Sequence, residues 1–411
     1  MTTDQAKSAA TATIPLPRTL EQSGSSWLAA LRRRGMSWQR PWLRGLLVAV
    51  ALYLALRVGT LLVLDTYAEA DPDHPTLRSL LTGWDAVWYG GIAEHGYDEA
   101  IPLGKDGEPE LTNLAFFPLY PALVAAAKFL LPIHLTTALL LVAWACGLTA
   151  AAALYAVGAH LRDPRTGVLL AALWAVLPHG VIESMGYSEP LFTTLAAGAL
   201  LAVLRRNWLT AGALCLLAGL TRPTAAALVL AVGLAALVQV CREPARWRAW
   251  CAMLLAPVGL LGYLAWVGVR LGRADGYFYV QSVVWNMSFD GGGYTRQSAN
   301  AALLGKQPLE FAEVTLVLLI AVLLFVVALG ERLPWPLLVY AGACLAIVLT
   351  GDGFYWAKAR HLMPAFPLLL PVAYAMVRSR NRTVPYAVIG GMAVFCAFWS
   401  VHLNLTWDHS F

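Results

Sequence analysis

Two long, continuous and predominantly apolar runs, over residues 135–159 and 311–330, constrain the fold of this chain more than any other feature. Each is long enough to cross the roughly 30 Å hydrocarbon core of a bilayer as a helix. Neither alternates apolar with polar residues, which excludes a transmembrane barrel. Lipid leaves a backbone only the helix or the closed barrel. Composition agrees, since hydrophobic residues make up 59% of the 411 and charged residues 13%. A soluble domain could not cover its core with so little charge. The chain therefore reads as an all-α, polytopic transmembrane bundle.

Apolar stretches predict spans near 43–64, 115–131, 136–159, 166–180, 189–204, 208–221, 223–240, 249–269, 309–330, 335–350, 361–377 and 384–403. Prolines and glycines interrupt several, so ten to twelve are expected. No internal repeat is visible. The first 26 residues are polar and rich in Ala, Thr and Ser, which is not the pattern of a signal peptide. Residues 27–42 set Arg32, Arg33, Arg34 and Arg40 among apolar side chains, as in a basic helix lying on the cytoplasmic leaflet. The expected organisation is a cytoplasmic tail with this basic segment over 1–42, a transmembrane catalytic domain over 43–404, and a short tail over 405–411. The six cysteines contain no CxxC pair and read as buried thiols. The net charge of +5 sits mainly in juxtamembrane clusters, which argues against nucleic-acid binding.

Arg205-Arg206, the arginines of 242–248 and those of 378–382 mark cytoplasmic ends by the positive-inside rule. Counting back from the last cluster puts 351–360, 270–308, 221–223 and 180–188 outside. Counting forward from a cytoplasmic N-terminus puts 65–114 outside too. The two counts collide between 115 and 178, and 116–131, with prolines at 118, 121 and 132, is the expected partial or re-entrant segment. Segment 65–114 carries eleven acids against Arg78 and Lys105, an excess that a non-cytoplasmic loop tolerates.

Within that loop, Trp84-Asp85-Ala86-Val87-Trp88-Tyr89 places one carboxylate among aromatics just after the first span. As a helix over 83–95, Trp84, Trp88 and Ile92 share a stripe, with Asp85 and Tyr89 on the adjoining face. That predicts an interfacial helix, with Trp84, Trp88 and Tyr89 on the acceptor side. An acid at the mouth of a membrane bundle suits a base acting on a lipid-linked substrate, although Asp near a helix start can equally be a cap.

Trp-Asp-x-x-Trp-Tyr-x-x-Ile-Ala-x-x-Gly-Tyr over 84–97, followed by Phe-Phe-Pro-Leu-Tyr-Pro over 116–121, resembles the PIG-V-type mannosyltransferase family. Tyr187-Ser188-Glu189-Pro190-Leu191-Phe192, Thr221-Arg222-Pro223 and the Arg360-His361-Leu362-Met363-Pro364-Ala365-Phe366-Pro367 segment follow in matching order. The resemblance implies a GT-C membrane glycosyltransferase using a polyprenyl-phosphate mannose donor, with Asp85 at the position of the catalytic base. The residue usage looks bacterial, so the glycolipid-anchor acceptor of eukaryotic members does not carry over.

An acceptor hydroxyl needs its proton removed as it attacks the sugar. The departing lipid phosphate needs a cation, which Arg or Lys supplies without a metal. Arg222, Lys358, Arg360 and His361 are the expected phosphate ligands, and Tyr187 and Glu189 are expected to bind the donor with them. A single base inverts the anomeric centre; double displacement needs a second carboxylate, for which Glu189 is the candidate. No cofactor is expected. Asp71-Pro72-Asp73 matches the Asp-x-Asp pattern of nucleotide-sugar enzymes, but the loop is too short for a nucleotide-binding domain. His74, Glu94, His95 and Asp98 follow no recognised metal-ligand spacing. Arg57, mid-span, calls for a partner or a water-lined cavity. Segment 270–308 offers Tyr277, Phe278, Tyr279, Trp285, Phe289, Tyr294 and a run of three glycines, suited to sugar stacking or to a lid. The rival reading is a lipid or sugar flippase of the plasma membrane with Arg57, Glu189 and Arg222 along its path, though such transporters often carry repeats.

Overall fold

The structure, a computed structural model, describes residues 20–409, with side chains from residue 41 onward. Residues 1–19 and the side chains of Arg32, Arg33, Arg34 and Arg40 lie outside what is described. The chain divides into two compact units, Met1–Arg44 and Gly45–Phe411. Among the described residues every regular element is helical, and β pairing is limited to two isolated bridges.

The helices are α1 (Leu20–Ala70), α2 (Leu77–Leu81), α3 (Asp85–His95), α4 (Leu119–Leu130), α5 (Leu135–Leu161) and α6 (Pro164–Ala175). Then come α7 (Glu189–Leu204), α8 (Trp208–Gly219), α9 (Ala225–Arg242), α10 (Trp247–Leu255), α11 (Val258–Arg270), α12 (Gly276–Tyr279) and α13 (Gly293–Leu303). The last are α14 (Leu309–Gly330), α15 (Trp335–Thr350), α16 (Lys358–Leu362), α17 (Leu370–Arg378) and α18 (Val384–Leu405). A helix occupies each of the twelve apolar stretches.

Length divides them. Six helices are long and apolar enough to cross a membrane: Pro41–Ala70 of α1, α5, α9, the joined α10–α11, α14 and α18. The pair Tyr355–Leu362 and Phe366–Arg378, bent by 73° at its break, is a broken span or a re-entrant loop, and brings the count to seven if it is one span. Helices α4, α7, α8 and α15 are apolar but only 10–17 residues long. At 1.5 Å per residue, the 12 residues of α4 reach about 18 Å, short of a full crossing. The count of ten to twelve thus counts apolar helices rather than full-length crossings.

Local sequence sets several boundaries. Asp163 caps α6, its Oδ1 accepting from the Thr166 amide at 2.8 Å, with Pro164 in the first turn where a missing N–H costs nothing. Helix α5 packs against α6 and α7, α8 against α10 and α11, and α9 against α15. Small residues permit the close approaches, as is usual where lipid gives no hydrophobic drive between helices. A Cβ on Gly259 would stand 1.9 Å from the Leu216 carbonyl oxygen, and one on Gly167 2.4 Å from that of Tyr155. Gly259→Ala is therefore expected to lower stability by about 1–3 kcal/mol, seen as a lower thermal midpoint in detergent; an unchanged midpoint would show that α8 and α11 slide apart freely. On α14, Leu316, Leu319, Leu323 and Val326 form an exposed apolar stripe of the kind lipid covers.

The cysteine expectation needs amending. Cys146, Cys215, Cys344 and Cys396 are buried, but Cys241 is exposed and Cys251 partly so. Both lie at or near the helix ends around residues 242–247, where the packed interior gives out.

Candidate active site

Asp85 is the first residue of α3, and the preceding residue is strained: Trp84 has φ +54°, a region that disfavours a bulky side chain. The turn is held by a donation from the Asp85 amide to the Tyr187 hydroxyl at 3.3 Å. The carboxylate does not cap its helix. Its Oδ2 lies 3.0 Å from Nη1 of Arg360, and its side chain is 17% exposed.

Arg360 joins two acids, since its Nε lies 3.3 Å from Oε1 of Glu189. The same Oε1 lies 2.5 Å from Nη1 of Arg222. The result is an alternating chain of charge, Asp85–Arg360–Glu189–Arg222, drawn from four separate parts of the sequence. The Arg360 guanidinium also sits 5.3 Å from the centre of the Tyr187 ring, a cation–π contact. Burial pushes the Asp85 carboxyl above the ordinary carboxylate range, while Arg360 pulls it back down.

Asp85, Tyr89, Arg222, Lys358, Arg360 and His361 line one cavity of about 530 Å³. Phe116, Phe117, Leu260, Leu264, Phe278 and Val348 give it an apolar flank. Lys358 is buried, its Nζ donating to the carbonyls of Val348 at 2.7 Å and Gly351 at 2.6 Å. Tyr187 and Glu189 do not line the cavity; both are fully buried behind the arginines. The geometry thus brings Arg222, Lys358, Arg360 and His361 to one cavity, but Tyr187 and Glu189, expected to bind the donor with them, lie buried beneath instead of lining it.

The expectation for α3 as an interfacial helix is corrected in part. Trp84 is 41% exposed, but Tyr89 is 4% exposed and its hydroxyl is 2.7 Å from that of Ser188. Trp88 stacks on Phe116 and meets Trp285 edge-on. Gly90 lies close enough to α5 that a Cβ would stand 3.3 Å from Leu135 and Leu139. One flank of α3 is therefore held against the bundle rather than laid on it.

The motif aromatics are accounted for by this packing. Tyr89 meets Phe116 and Tyr120 edge-on, and the Tyr97 hydroxyl donates to the Phe116 carbonyl at 2.7 Å. Tyr120 donates to the Leu139 carbonyl at 2.9 Å, and Tyr263 to that of Phe116 at 2.7 Å. The Trp84–Tyr97 and 116–121 motifs are one interlocked wall.

Of segment 270–308, Tyr277, Phe278, Trp285 and Phe289 line the cavity, whereas Tyr279 and Tyr294 do not. Asp71-Pro72-Asp73 forms a surface turn, the Asp73 amide donating to Asp71 Oδ1 at 3.0 Å. Glu94 pairs with Lys128 at 2.5 Å, and Asp98 accepts from Thr112 and Asn113. Among the described residues no group of three or more His, Cys, Asp or Glu side chains is gathered as a metal site. Sequence reasoning missed Asp352, which lines the cavity and accepts from the Ser288 hydroxyl at 2.7 Å. A lone acid between Gly351 and Gly353, separating two apolar runs, was the available signal.

No family model matches the chain, and no curated protein is detectably similar in sequence. Solved structures are similar in fold. ArnT from Cupriavidus metallidurans, solved with undecaprenyl phosphate bound, superposes with a TM-score of 0.51 at 15% identity. Its apo state gives the same score at 14% identity. Each match covers 83% of this chain and 62% of ArnT. The Archaeoglobus fulgidus oligosaccharyltransferase scores 0.46 at 14% identity, over 86% of this chain and 52% of that one. The present chain shares its fold with ArnT.

Proposed function

We propose that this chain is a membrane glycosyltransferase that moves a sugar from a polyprenyl-phosphate donor to an acceptor hydroxyl, with Asp85 as general base. The observation that carries the proposal is the cavity itself. One wall is apolar, suited to a polyprenyl chain; the other presents Arg222, Lys358, Arg360 and His361, suited to its phosphate, with a carboxylate among them. ArnT, which shares the fold, was solved with such a lipid phosphate bound.

The ion pairs supply a working order. Before the donor arrives, Arg360 holds Asp85 at 3.0 Å and keeps it a weak base. A donor phosphate draws the same guanidinium toward itself and loosens the pair. The carboxylate then gains basicity in a site from which the lipid has displaced water. Glu189, contacting both arginines through one oxygen, keeps them aimed at the phosphate. Its burial behind them makes it a poor second nucleophile, which favours inversion over double displacement.

Mannose as the sugar rests on the PIG-V-like motifs. A cytoplasmic N-terminus and a site on the outer face of the plasma membrane rest on the positive-inside reading of the arginine clusters, and a role in the bacterial cell envelope on the residue usage. The domain division into a tail over 1–42, a catalytic bundle over 43–404 and a short end over 405–411 belongs to the same reading.

The test is an assay of purified full-length protein with radiolabelled polyprenyl-phosphate-mannose and a membrane acceptor extract. Labelled product is expected. No product, with movement of the lipid across proteoliposomes instead, would make the chain a flippase.

A further inference from the structure

A second cavity, of about 820 Å³, adjoins the first and differs from it in chemistry. Asn286, Gln297 and Asn300 bring carboxamides to its lining, and Asp290 and Asp352 bring carboxylates. Tyr294 and Trp356 add aromatic rings. Carboxamides both donate and accept, carboxylates accept, and a sugar hydroxyl does both. Aromatic rings supply the flat apolar faces on which pyranose rings lie.

Charge separates the two cavities. Two carboxylates against the single guanidinium of Arg296 leave the second lining at a formal −1, unfavourable to a phosphate or any other anion. The catalytic cavity has three basic side chains, Arg222, Lys358 and Arg360, against Asp85 and Asp352. The formal charge is therefore +1 in the first lining and −1 in the second.

Asp352 and Phe354 line both cavities. That shared wall is fixed. The Asp352 carboxylate accepts from the amide and hydroxyl of Ser288, and its own amide donates to the Ser288 carbonyl at 2.9 Å. The Asp290 amide donates to the Thr350 carbonyl at 3.1 Å, and Phe289 bridges Gly351.

We propose that the second cavity is the acceptor site, taking the neutral, polyhydroxylated end of a glycan and passing its reactive hydroxyl by Asp352 and Phe354 toward Asp85. The inference rests on the transferase reading above and gives that reaction its acceptor class. The same glycan terminus could be borne by a lipid or by a water-soluble chain.

The test uses full-length protein in nanodiscs and the variant Gln297→Ala/Asn300→Ala. Both residues are exposed on α13, where alanine suits the helix, and neither touches the ion-pair chain. The membrane acceptor extract is split into neutral and anionic glycans, and the neutral part into lipid-linked and water-soluble glycans. Hydrogen exchange over residues 286–300 is followed without donor, and transfer is followed with it.

The neutral fraction is expected to slow exchange in wild type and not in the variant. Transfer by the variant should need at least tenfold more acceptor, with the donor KM unchanged. The neutral sub-fraction that protects shows which carrier bears the terminus. Protection by the anionic fraction, protection by neither, or an unchanged acceptor KM would overturn the proposal. Protection by neutral glycans with no transfer in any protein would instead sink the transferase reading and leave the ligand class standing.

Discussion

Asp85→Asn should reduce transfer by about 10²–10⁴-fold, the usual worth of a positioned general base, while the protein still binds polyprenyl phosphate. Asparagine keeps the shape and can still accept from Arg360, so the arginine remains anchored, with Glu189 as its second partner. What is lost is the ability to take a proton. Labelled-lipid binding and a single-turnover assay on the same preparation separate the two effects. Equal turnover in both proteins would move the base elsewhere.

The pH profile gives an independent check. Asp85 works only when ionised, so kcat/KM must fall as pH drops through its pKa. Burial holds that pKa above the ordinary carboxylate range, so the acid limb is displaced upward from the value of a free aspartate. Removing the Arg360 charge takes away the ion pair to Asp85 and should move the limb further up. A limb that moves down instead would mean that Arg360 does not oppose protonation of Asp85.

The second large effect concerns stability. Arg57 is 1% exposed within the first span, its Nε 3.8 Å from Oε2 of the buried Glu183. It also donates to the Ala175 carbonyl and contacts Cys396 Sγ at 3.4 Å. Removing one partner strands the other charge, at a cost of about 3–5 kcal/mol. Arg57→Met and Glu183→Gln should each lower the thermal midpoint sharply in detergent. Arg57→Met/Glu183→Leu should recover most of the loss, because an apolar pair has no charge left to desolvate. A double variant no better than either single one would show that each group depends on a different partner. Neither residue lines the catalytic cavity, so lipid binding per folded molecule should not change.

The sequence made the helices legible because lipid imposes a crude rule: long apolar runs must be helical. It could not measure how far each run reaches, since breaks such as the one at Met363–Ala365 depend on neighbouring helices. The candidate site was legible as a set of residue types, but its connections were not. Nothing local to Asp85 indicates a contact with Arg360, 275 positions away. Tyr89 read as interfacial because periodicity marks a face without saying what covers it; here Phe116, Tyr120 and Ser188 do. Asn286, Gln297 and Asn300 carried no signal at all. Exposed amides are ordinary until a fold gathers them around one cavity.

The 73° break between Tyr355–Leu362 and Phe366–Arg378 also bears on biogenesis. The first of these segments contains Lys358 and Arg360, and each such cation costs about 2.5–3.5 kcal/mol at the centre of an inserting helix. That segment is therefore a poor substrate for autonomous insertion. Yet the acids that pair with the arginine, Asp85 and Glu189, and the carbonyls that hold the lysine, those of Val348 and Gly351, are all synthesised earlier. The chain thus has its counter-charges in place before the cations leave the ribosome, and the arginine that faces the site is drawn into the membrane by the acids it will serve.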